Sequence, residues 1–203
     1  MKKQITAAGT AHRANARTVT MTAMLAAISY LLAFLEFPVP LSPAFARMDL
    51  SDFPALVGAF AFGPVCGMMI ELIKNGLQAL GTSTGGIGEL ANFLMGGAYV
   101  LTAGMIYRYR KTKKTAWIAC IISSIVMGIA AALANYFILL PMFEMFMPLD
   151  QVIASFGEFL PFIRTKLDVV LYNAFPFNLL KGLVIGVFTM LIYKRLTPVL
   201  KGI

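Results

Sequence analysis

The stretch GTSTGGIGELANFL, residues 81–94, separates two strongly apolar runs and is the point from which the fold can be worked out. The run before it ends near residue 80, and the run after it continues to the basic segment RYRKTKK, residues 108–114. A bare turn between helices needs one or two glycines, whereas this loop adds hydroxyls, a carboxylate and an amide where a helix begins. The stretch therefore predicts two apolar helices joined by a glycine-rich loop with more polarity than a turn requires.

The composition indicates that lipid is the solvent for much of the chain. Of its 203 residues, 59% are hydrophobic and 13% are charged, and the mean hydropathy is +0.80. Soluble domains have about a quarter of their residues charged. The net charge of +8 does not indicate nucleic-acid binding, because the basic residues are confined to segments that flank apolar runs. That distribution is typical of the positive-inside rule for membrane proteins.

Six apolar runs, each bounded by proline, glycine or charge, predict an all-α integral membrane protein with six transmembrane helices. Gly63-Pro64 separates the second helix from the third, and Pro141 is expected to end the fifth. One six-helix domain at 18–196 lies between a tail at 1–17 and a tail at 197–203, with outer loops at about 39–50 and 141–168. The helices are predicted at 18–37, about 51–62, 64–80, 88–109, 115–140 and 169–193.

The distribution of basic residues predicts that both termini are cytoplasmic. With six crossings, twelve of the seventeen lysines and arginines fall in inner segments, and none of the nine acidic residues does. An odd number of crossings would break this asymmetry, which the positive-inside rule makes the guide to orientation. The inner basic residues are Lys2, Lys3, Arg13, Arg17, Arg108, Arg110, Lys111, Lys113, Lys114, Lys194, Arg195 and Lys201.

Several polar side chains lie inside the predicted crossings, where a charge costs roughly 2.5–3.5 kcal/mol on insertion scales. Glu71 and Lys74 are three apart on one helix and can neutralise each other. Asn178 and Lys181 have no acid near them on the last helix, so their face is expected to look into the bundle. With Glu89 and Asn92 of the fourth helix and Asn135 and Tyr136 of the fifth, they predict a ligand site open to the outside. The alternative is that these groups hydrogen-bond each other and lock the bundle.

The sequence offers no chemistry for catalysis. It has no Ser/His/Asp set, no metal-ligand spacing and no nucleotide-binding motif, so we predict neither an enzyme nor a resident cofactor or metal. Cys66 and Cys120 are interpreted as buried hydrophobes, and His12 lies in the polar tail. Uphill transport would need a partner or an ion gradient. On the first helix, Ala23 and Ala27 form a small-xxx-small face of the kind that lets helices approach closely in lipid.

Four blocks of the sequence, taken in order, resemble a known family. They are DLSDFPALVGAFAFGPVCGMMIELIKNGLQ, GTSTGGIGELANFL, ANYFILLP and YNAFPFNLLKG. Together they resemble the riboflavin-specific S component of energy-coupling factor (ECF) vitamin transporters. The resemblance covers nearly the whole chain from about residue 18.

The resemblance implies a multi-pass protein of the bacterial cell membrane that captures riboflavin from outside. Transport would need a T subunit and two ATPase subunits, with ATP bound only by the latter. It implies that Ala23 and Ala27 contact the T subunit and that the loop at about 39–50 is an outer lid. The residues that it and the polar pattern assign to the ligand are Glu89, Asn92, Asn135, Tyr136, Asn178, Lys181, Thr84 and Phe45; Tyr99 and Phe143 are further candidate wall residues.

Riboflavin suits this set, because a flat aromatic ring with imide and carbonyl groups and a polyhydroxylated chain needs apolar walls with amide and ammonium donors. Three alternatives stay open from the residues. The chain could be an S component for another vitamin, a stand-alone channel or secondary transporter, or a membrane enzyme, the last disfavoured by the missing catalytic set. Riboflavin and its phosphate are not distinguished by the sequence.

Overall fold

The computed structural model of the chain describes residues 16–38, 47–82, 85–146, 148–158 and 160–201, and it is a bundle of helices. We number seven helices in chain order. The first four are α1 (Ala16–Ala33), α2 (Asp52–Phe62), α3 (Pro64–Ala79) and α4 (Ile87–Tyr109). The last three are α5 (Lys113–Glu144), α6 (Leu149–Gly157) and α7, which begins at Lys166 and continues to Lys201.

All six predicted helices are present, and the all-α class is confirmed. The first is shorter than predicted: α1 ends at Ala33, and Phe37–Pro38 instead forms a two-residue strand, β1, antiparallel to β2 at Arg47–Met48. This pair ties together the two ends of the α1–α2 connection. The predicted lid residues between the strands lie outside the described residues. The predicted outer loop at 141–168 contains the end of α5, the whole of α6 and the start of α7.

Proline does not end α5 at Leu140 as expected, because a π-helical turn precedes it. α5 consists of an α-helix at Lys113–Ala134, a π-turn at Asn135–Leu139 and an α-helix at Leu140–Glu144. The backbone N–H of Leu140 donates to Asn135, five residues back. Pro141, which has no N–H, follows directly after this shift of the hydrogen-bond ladder, so the helix continues through it.

α7 repeats the same arrangement. It starts with a turn at Lys166–Val169, continues as a π-turn at Val170–Ala174, and then runs as an α-helix from Phe175, with Pro176 as its second residue. Single π-turns inside α-helices often occur at functional sites. Both π-turns lie in helices that border a cavity of about 610 Å³.

Four helices are long and apolar enough to cross a membrane: α1, α4, α5 and α7. α2 has 11 residues and α3 has 16, so at about 1.5 Å per residue neither reaches the roughly 30 Å of a hydrocarbon core by itself. They are separated only by Gly63, whose φ of 101° is a conformation that glycine adopts without strain. Six crossings and inner termini stay a prediction.

The bundle is closed by contacts in which a glycine of one helix touches the next helix directly. A Cβ on Gly182 of α7 would lie 2.8–3.0 Å from atoms of Ser124 in α5, and one on Gly186 would lie 2.9 Å from Cys120. The Gly182-xxx-Gly186 face therefore packs inside the bundle, as such faces do in lipid, where close van der Waals contact and hydrogen bonds hold helices together. Tyr99 of α4 reinforces this contact by donating to the carbonyl of Gly182 at 2.9 Å.

Gly104 gives a test of this packing, because a Cβ there would lie 2.8 Å from Cα and 3.1 Å from N of Pro64. Backbone atoms cannot turn away as a side chain can, so we expect Gly104→Ala to destabilise the fold by about 1–3 kcal/mol, the usual cost of overpacking. Gly76→Ala is the matched control, because no heavy atom lies within 4 Å of that position. Thermal unfolding in detergent, followed with a thiol-reactive dye that reports the buried Cys66 and Cys120, should show a lower midpoint for Gly104→Ala alone. Equal midpoints for the two variants would contradict the contact.

Candidate functional site

A cavity with a volume of about 610 Å³ lies between α4, α5 and α7. Its remaining walls come from Gln78 near the end of α3, Asp49 just before α2 and Phe156 of α6. A volume between 300 and 1,000 Å³, with mostly apolar walls and a few converging polar groups, is typical of small-molecule sites. The apolar walls include Ile87, Ala91, Met95, Leu139, Phe143, Val169, Ala174 and Phe177.

Five of the residues predicted for the site border this cavity. Glu89 and Asn92 come from α4, Asn135 from α5, and Asn178 and Lys181 from α7. The structure thus brings together polar groups of the three helices that the sequence indicated. The amide nitrogens of Asn135 and Asn178 each donate to the carbonyl four residues earlier in their own helix, at 2.8 and 2.9 Å. These bonds fix both amides against the cavity wall.

Of the five other residues predicted for the site or its walls, two lie elsewhere, one borders the cavity and two are not described. Tyr136 is 37% exposed on the outside of the bundle, where its ring contacts Phe137 and lies 4.5 Å from the ammonium of Lys166. Tyr99, a candidate wall residue, is fully buried in the core instead. Phe143 does border the cavity. Thr84 and Phe45 lie outside the described residues.

The stretch at residues 81–94, which includes the first residues of α4, forms hydrogen bonds that explain part of its polar composition. Thr82 donates to a carboxylate oxygen of Glu89 at 2.9 Å and accepts from the backbone N–H of Gly86 at 3.1 Å. Gly85 and Gly86 have φ angles of 65° and 89°, which are the left-handed conformations that favour glycine. The loop therefore folds onto the first turn of α4, and it holds Glu89 at the edge of the cavity.

Lys181 has acidic neighbours in space, although no acid lies near it on its own helix. Its Nζ donates to Asn92 Oδ1 at 3.3 Å and to Asp49 Oδ2 at 3.4 Å. Asp52 Oδ2 lies 3.1 Å away as an ion-pair contact. Asp52 is the first residue of α2 and Asp49 lies three residues before it. The pairing of these acids with Lys181 of α7 therefore depends on tertiary structure, which helix periodicity does not reveal.

A second buried lysine lies beside this group and is held more tightly. Lys74 Nζ lies 2.6 Å from Asp52 Oδ1 and 2.7 Å from Glu71 Oε2, and it donates to Ser51 Oγ at 3.0 Å. The neighbouring pair of Glu71 and Lys74 that the sequence indicated is therefore present. Asp52 joins the two lysines into one cluster, which the sequence did not predict.

Sequence reasoning missed several cavity residues for identifiable reasons. Asn173 and Asn178 are five apart, a spacing that places residues on different faces of a regular α-helix; the π-turn adds one residue and brings both to the cavity. Gln78 lies in the last turn of α3 and Glu36 lies between α1 and β1, where helix periodicity does not predict the direction of a side chain. Gln78 Oε1 is buried and accepts no hydrogen bond from the described residues. A buried acceptor at a cavity is a group that a bound molecule or water can satisfy.

Comparisons with known proteins agree with one another. A family model described as "ECF transporter, substrate-specific component" matches residues 17–193. The riboflavin transporter RibU of Staphylococcus aureus (strain TCH60) is 38% identical over 190 residues, which cover 93% of this chain and 94% of that protein. The riboflavin transporter FmnP of Bacillus subtilis (strain 168) is 29% identical over 185 residues, with 90% and 93% covered.

A solved structure gives the same relationship in three dimensions. It is described as the S component of a bacterial ECF transporter, and it matches with a TM-score of 0.71 and 34% sequence identity. The match covers 91% of this chain and 98% of that chain. The bundle is therefore similar to that structure over nearly its full length.

The buried cluster predicts a large effect of removing Lys74. Lys74→Met leaves Asp52 and Glu71 without their shortest contact, and breaking a buried ion pair from one side costs about 3–5 kcal/mol. We expect this variant to give little monodisperse protein in detergent, or to unfold at a much lower temperature than the parent. Lys111→Met, at an exposed lysine, is the control and should behave like the parent. A Lys74→Met protein as stable as the control would show that the cluster does not hold the bundle.

Proposed function

The chain belongs to the substrate-specific components of ECF transporters, and from that premise we propose that it is the riboflavin-binding subunit of an ATP-driven vitamin uptake transporter. The names of the relatives supply the candidate ligand. The observation that carries the proposal is the cavity of about 610 Å³, whose apolar walls are interrupted by amides of α3, α4, α5 and α7, by the ammonium of Lys181 and by three carboxylates.

The chemistry of the wall suits a neutral ligand that forms many hydrogen bonds. We propose that Lys181 and Asn178 donate to carbonyl oxygens of an isoalloxazine ring, and that Asn135 and Glu89 bond its imide or the hydroxyls of its ribityl chain. Phe143 and Phe177 offer aromatic faces for a flat ring. Asn92 acts with Lys181, to which it is hydrogen-bonded. Tyr136 is left out of this set because its ring faces the outside.

Access to the cavity is proposed from the outer side of the cell membrane. Six crossings with inner termini would put RYRKTKK inside and the cavity, the β1–β2 connection and α6 outside, in agreement with the positive-inside rule. Thr84 and Phe45 stay candidates for ligand contact, because each lies within five residues of a cavity residue in the sequence, Glu89 and Asp49 respectively. The connection at about 39–50 is proposed as the lid. The short α2 and α3 then need neighbouring helices, or a locally thinned bilayer, to complete their crossings.

Delivery to the cell interior is proposed to need a T subunit and two ATPase subunits. α1 carries the surface that fits such a partner: Ala23 and Ala27 are both exposed, beside Met24 (54% exposed) and Ile28 (46%). Its buried residues are Ala26, Ser29 and Ala33, a narrow stripe that leaves most of the helix free for a partner. A smooth face of small residues allows close approach of another helix in lipid.

A riboflavin titration tests the proposed ligand. Protein purified in detergent from cells that make riboflavin should be yellow, with flavin absorption of about one ligand per chain, and ligand-free protein should quench flavin fluorescence on titration. We expect Lys181→Ala and Asn178→Ala to weaken binding at least tenfold, or about 1.4 kcal/mol, because each removes a donor from the wall. Lys166→Ala, at the outer surface, is the matched control and should bind like the parent.

Other results of that experiment favour the alternatives. A colourless protein that ignores added riboflavin but binds thiamine or biotin would indicate an S component for another vitamin. Vesicles that contain only this chain and still accumulate riboflavin in an ion gradient would indicate a secondary transporter. Parent-like affinity in both site variants would overturn the residue assignment while leaving the ligand in place.

The partner surface has a test of its own. Ala27→Trp puts a large ring on the exposed face of α1, so riboflavin binding should be unchanged while uptake in cells that also make the T and ATPase subunits is lost. Ile121→Trp, at a residue of α5 that is 48% exposed, controls for a bulky residue facing lipid. Equal loss of uptake in both variants would argue against α1 as the contact, and loss of binding in Ala27→Trp would place α1 in the site.

A further inference from the structure

The two buried lysines of the bundle are held very differently. The contacts of Lys74 with Asp52 and Glu71 are 2.6 and 2.7 Å long. The hydrogen bonds of Lys181 to Asn92 and Asp49 are 3.3 and 3.4 Å long. Charge-assisted N–H···O bonds are usually about 2.7–2.9 Å. The ammonium that faces the cavity is thus the loosely bound one.

Among the three contacts of Lys181, the one to Asp49 can be exchanged most easily. Asp52 is fully buried, does not border the cavity, and holds Lys74 with its other oxygen. Asn92 is part of the continuous helix α4. Asp49 borders the cavity, precedes α2 and makes the longest of the three contacts. An acceptor on a bound molecule would therefore replace Asp49 before the other two.

The charge balance allows this exchange. The described cluster holds three carboxylates, on Asp49, Asp52 and Glu71, against the two ammonium groups of Lys74 and Lys181. Lys181 keeps its ion-pair contact with Asp52 when Asp49 lets go. No lysine of the cluster then loses its last carboxylate, which would be costly for a buried charge. The freed Asp49 borders the cavity and keeps its hydrogen bond from the backbone N–H of Ser51, so its carboxylate is not left without a polar contact.

Asp49 is also hydrogen-bonded toward α1. Its Oδ1 accepts from the backbone N–H of Ser51 at 2.7 Å. The carbonyl of Ser51 accepts from the hydroxyl of Ser29, a fully buried residue of α1. A continuous series of contacts therefore leads from Lys181 at the cavity, through Asp49 and Ser51, to the helix whose opposite face exposes Ala23 and Ala27.

We propose that Asp49 is an exchangeable acceptor for Lys181: an oxygen of the bound solute replaces it, and the freed Asp49–Ser51 turn passes the change to α1 through Ser29. Asp49 is thus a positioning residue, which acts on the solute through Lys181. This inference rests on the proposed function, because the solute oxygen is taken to be a carbonyl of riboflavin. The proposed exchange links the binding of riboflavin in the cavity to the exposed surface of α1. Such a link between two sites is the coupling that a two-state switch requires.

The first experiment measures riboflavin affinity in Asp49→Asn. The amide keeps an oxygen for the N–H of Ser51 but competes less for the ammonium, so riboflavin should bind about threefold tighter or more. Asp150→Asn, at an exposed residue of α6, is the matched control for charge and should bind like the parent. Unchanged or weaker binding in Asp49→Asn would overturn the proposal, since Asp49 would then be a ligand contact or a plain support.

The second experiment follows backbone amide hydrogen exchange in α1 with and without riboflavin. In the parent, riboflavin should change exchange within residues 16–33. Ser29→Ala should abolish this response while its affinity stays within about twofold of the parent. Ser123→Ala, at an equally buried serine that donates to Cys120 of its own helix, should keep the response. The measurement on the parent protein needs no variant. It therefore tests whether riboflavin changes hydrogen exchange in α1 even where a substitution impairs folding.

The outcomes separate this inference from the function on which it rests. A parent that does not bind riboflavin contradicts the proposed function. A parent that binds riboflavin with no change of exchange in α1, or a Ser29→Ala protein that keeps the change, contradicts only the path through Ser29. Tighter binding in Asp49→Asn together with a lost response in Ser29→Ala supports both steps.

Discussion

The bundle depends on a carboxylate that is shared between two lysines. Asp52, in the first turn of α2, has one oxygen 2.6 Å from Lys74 of α3 and the other 3.1 Å from Lys181 of α7. All three side chains are nearly or completely inaccessible. Because an uncompensated buried charge costs several kcal/mol, these three helices are fixed relative to one another at this depth. The ion pairs add to the apolar packing of α2, which buries eight of its 11 residues in the bundle.

Gly96 of α4 leaves space for the shared carboxylate and for Glu71 beside it. A Cβ on Gly96 of α4 would lie 2.7 Å from Glu71 Oε2 and 3.2 Å from Asp52 Oδ1, so only glycine fits there without movement. The cavity lies on one side of this cluster and the packed core on the other. The ion pairs thus form a boundary: Lys74 faces the core side with tight contacts, while Lys181 faces the cavity with loose ones.

The sequence predicted the helices well and the geometry of the site only in part. Length and hydropathy located six helices, and the polar residues of α4, α5 and α7 indicated the side where five of them border the cavity. The pairing of Lys181 with Asp49 and Asp52 was not predictable, because those acids lie just before α2 and at its first residue, more than a hundred positions away in the sequence. The π-turns also escaped prediction. A proline within an apolar run predicts a helix end, and the observed shift of the hydrogen bonds at Asn135 explains why α5 continues past Pro141.

α1 is connected to Asp49 at the cavity through Ser51, and its exposed face is the surface that we propose for a partner. Its buried stripe is short, and lipid gives no hydrophobic drive toward the bundle, so packing and hydrogen bonds must hold it. The bond from Ser29 to the carbonyl of Ser51 is one such hydrogen bond, and the contact of Thr22 with Cys66 of α3 is another. The same narrow attachment exposes Ala23 and Ala27 and ties the helix to the turn that Asp49 begins. A helix held this way can offer its surface and respond to the cavity, whereas a helix packed on all sides could do neither.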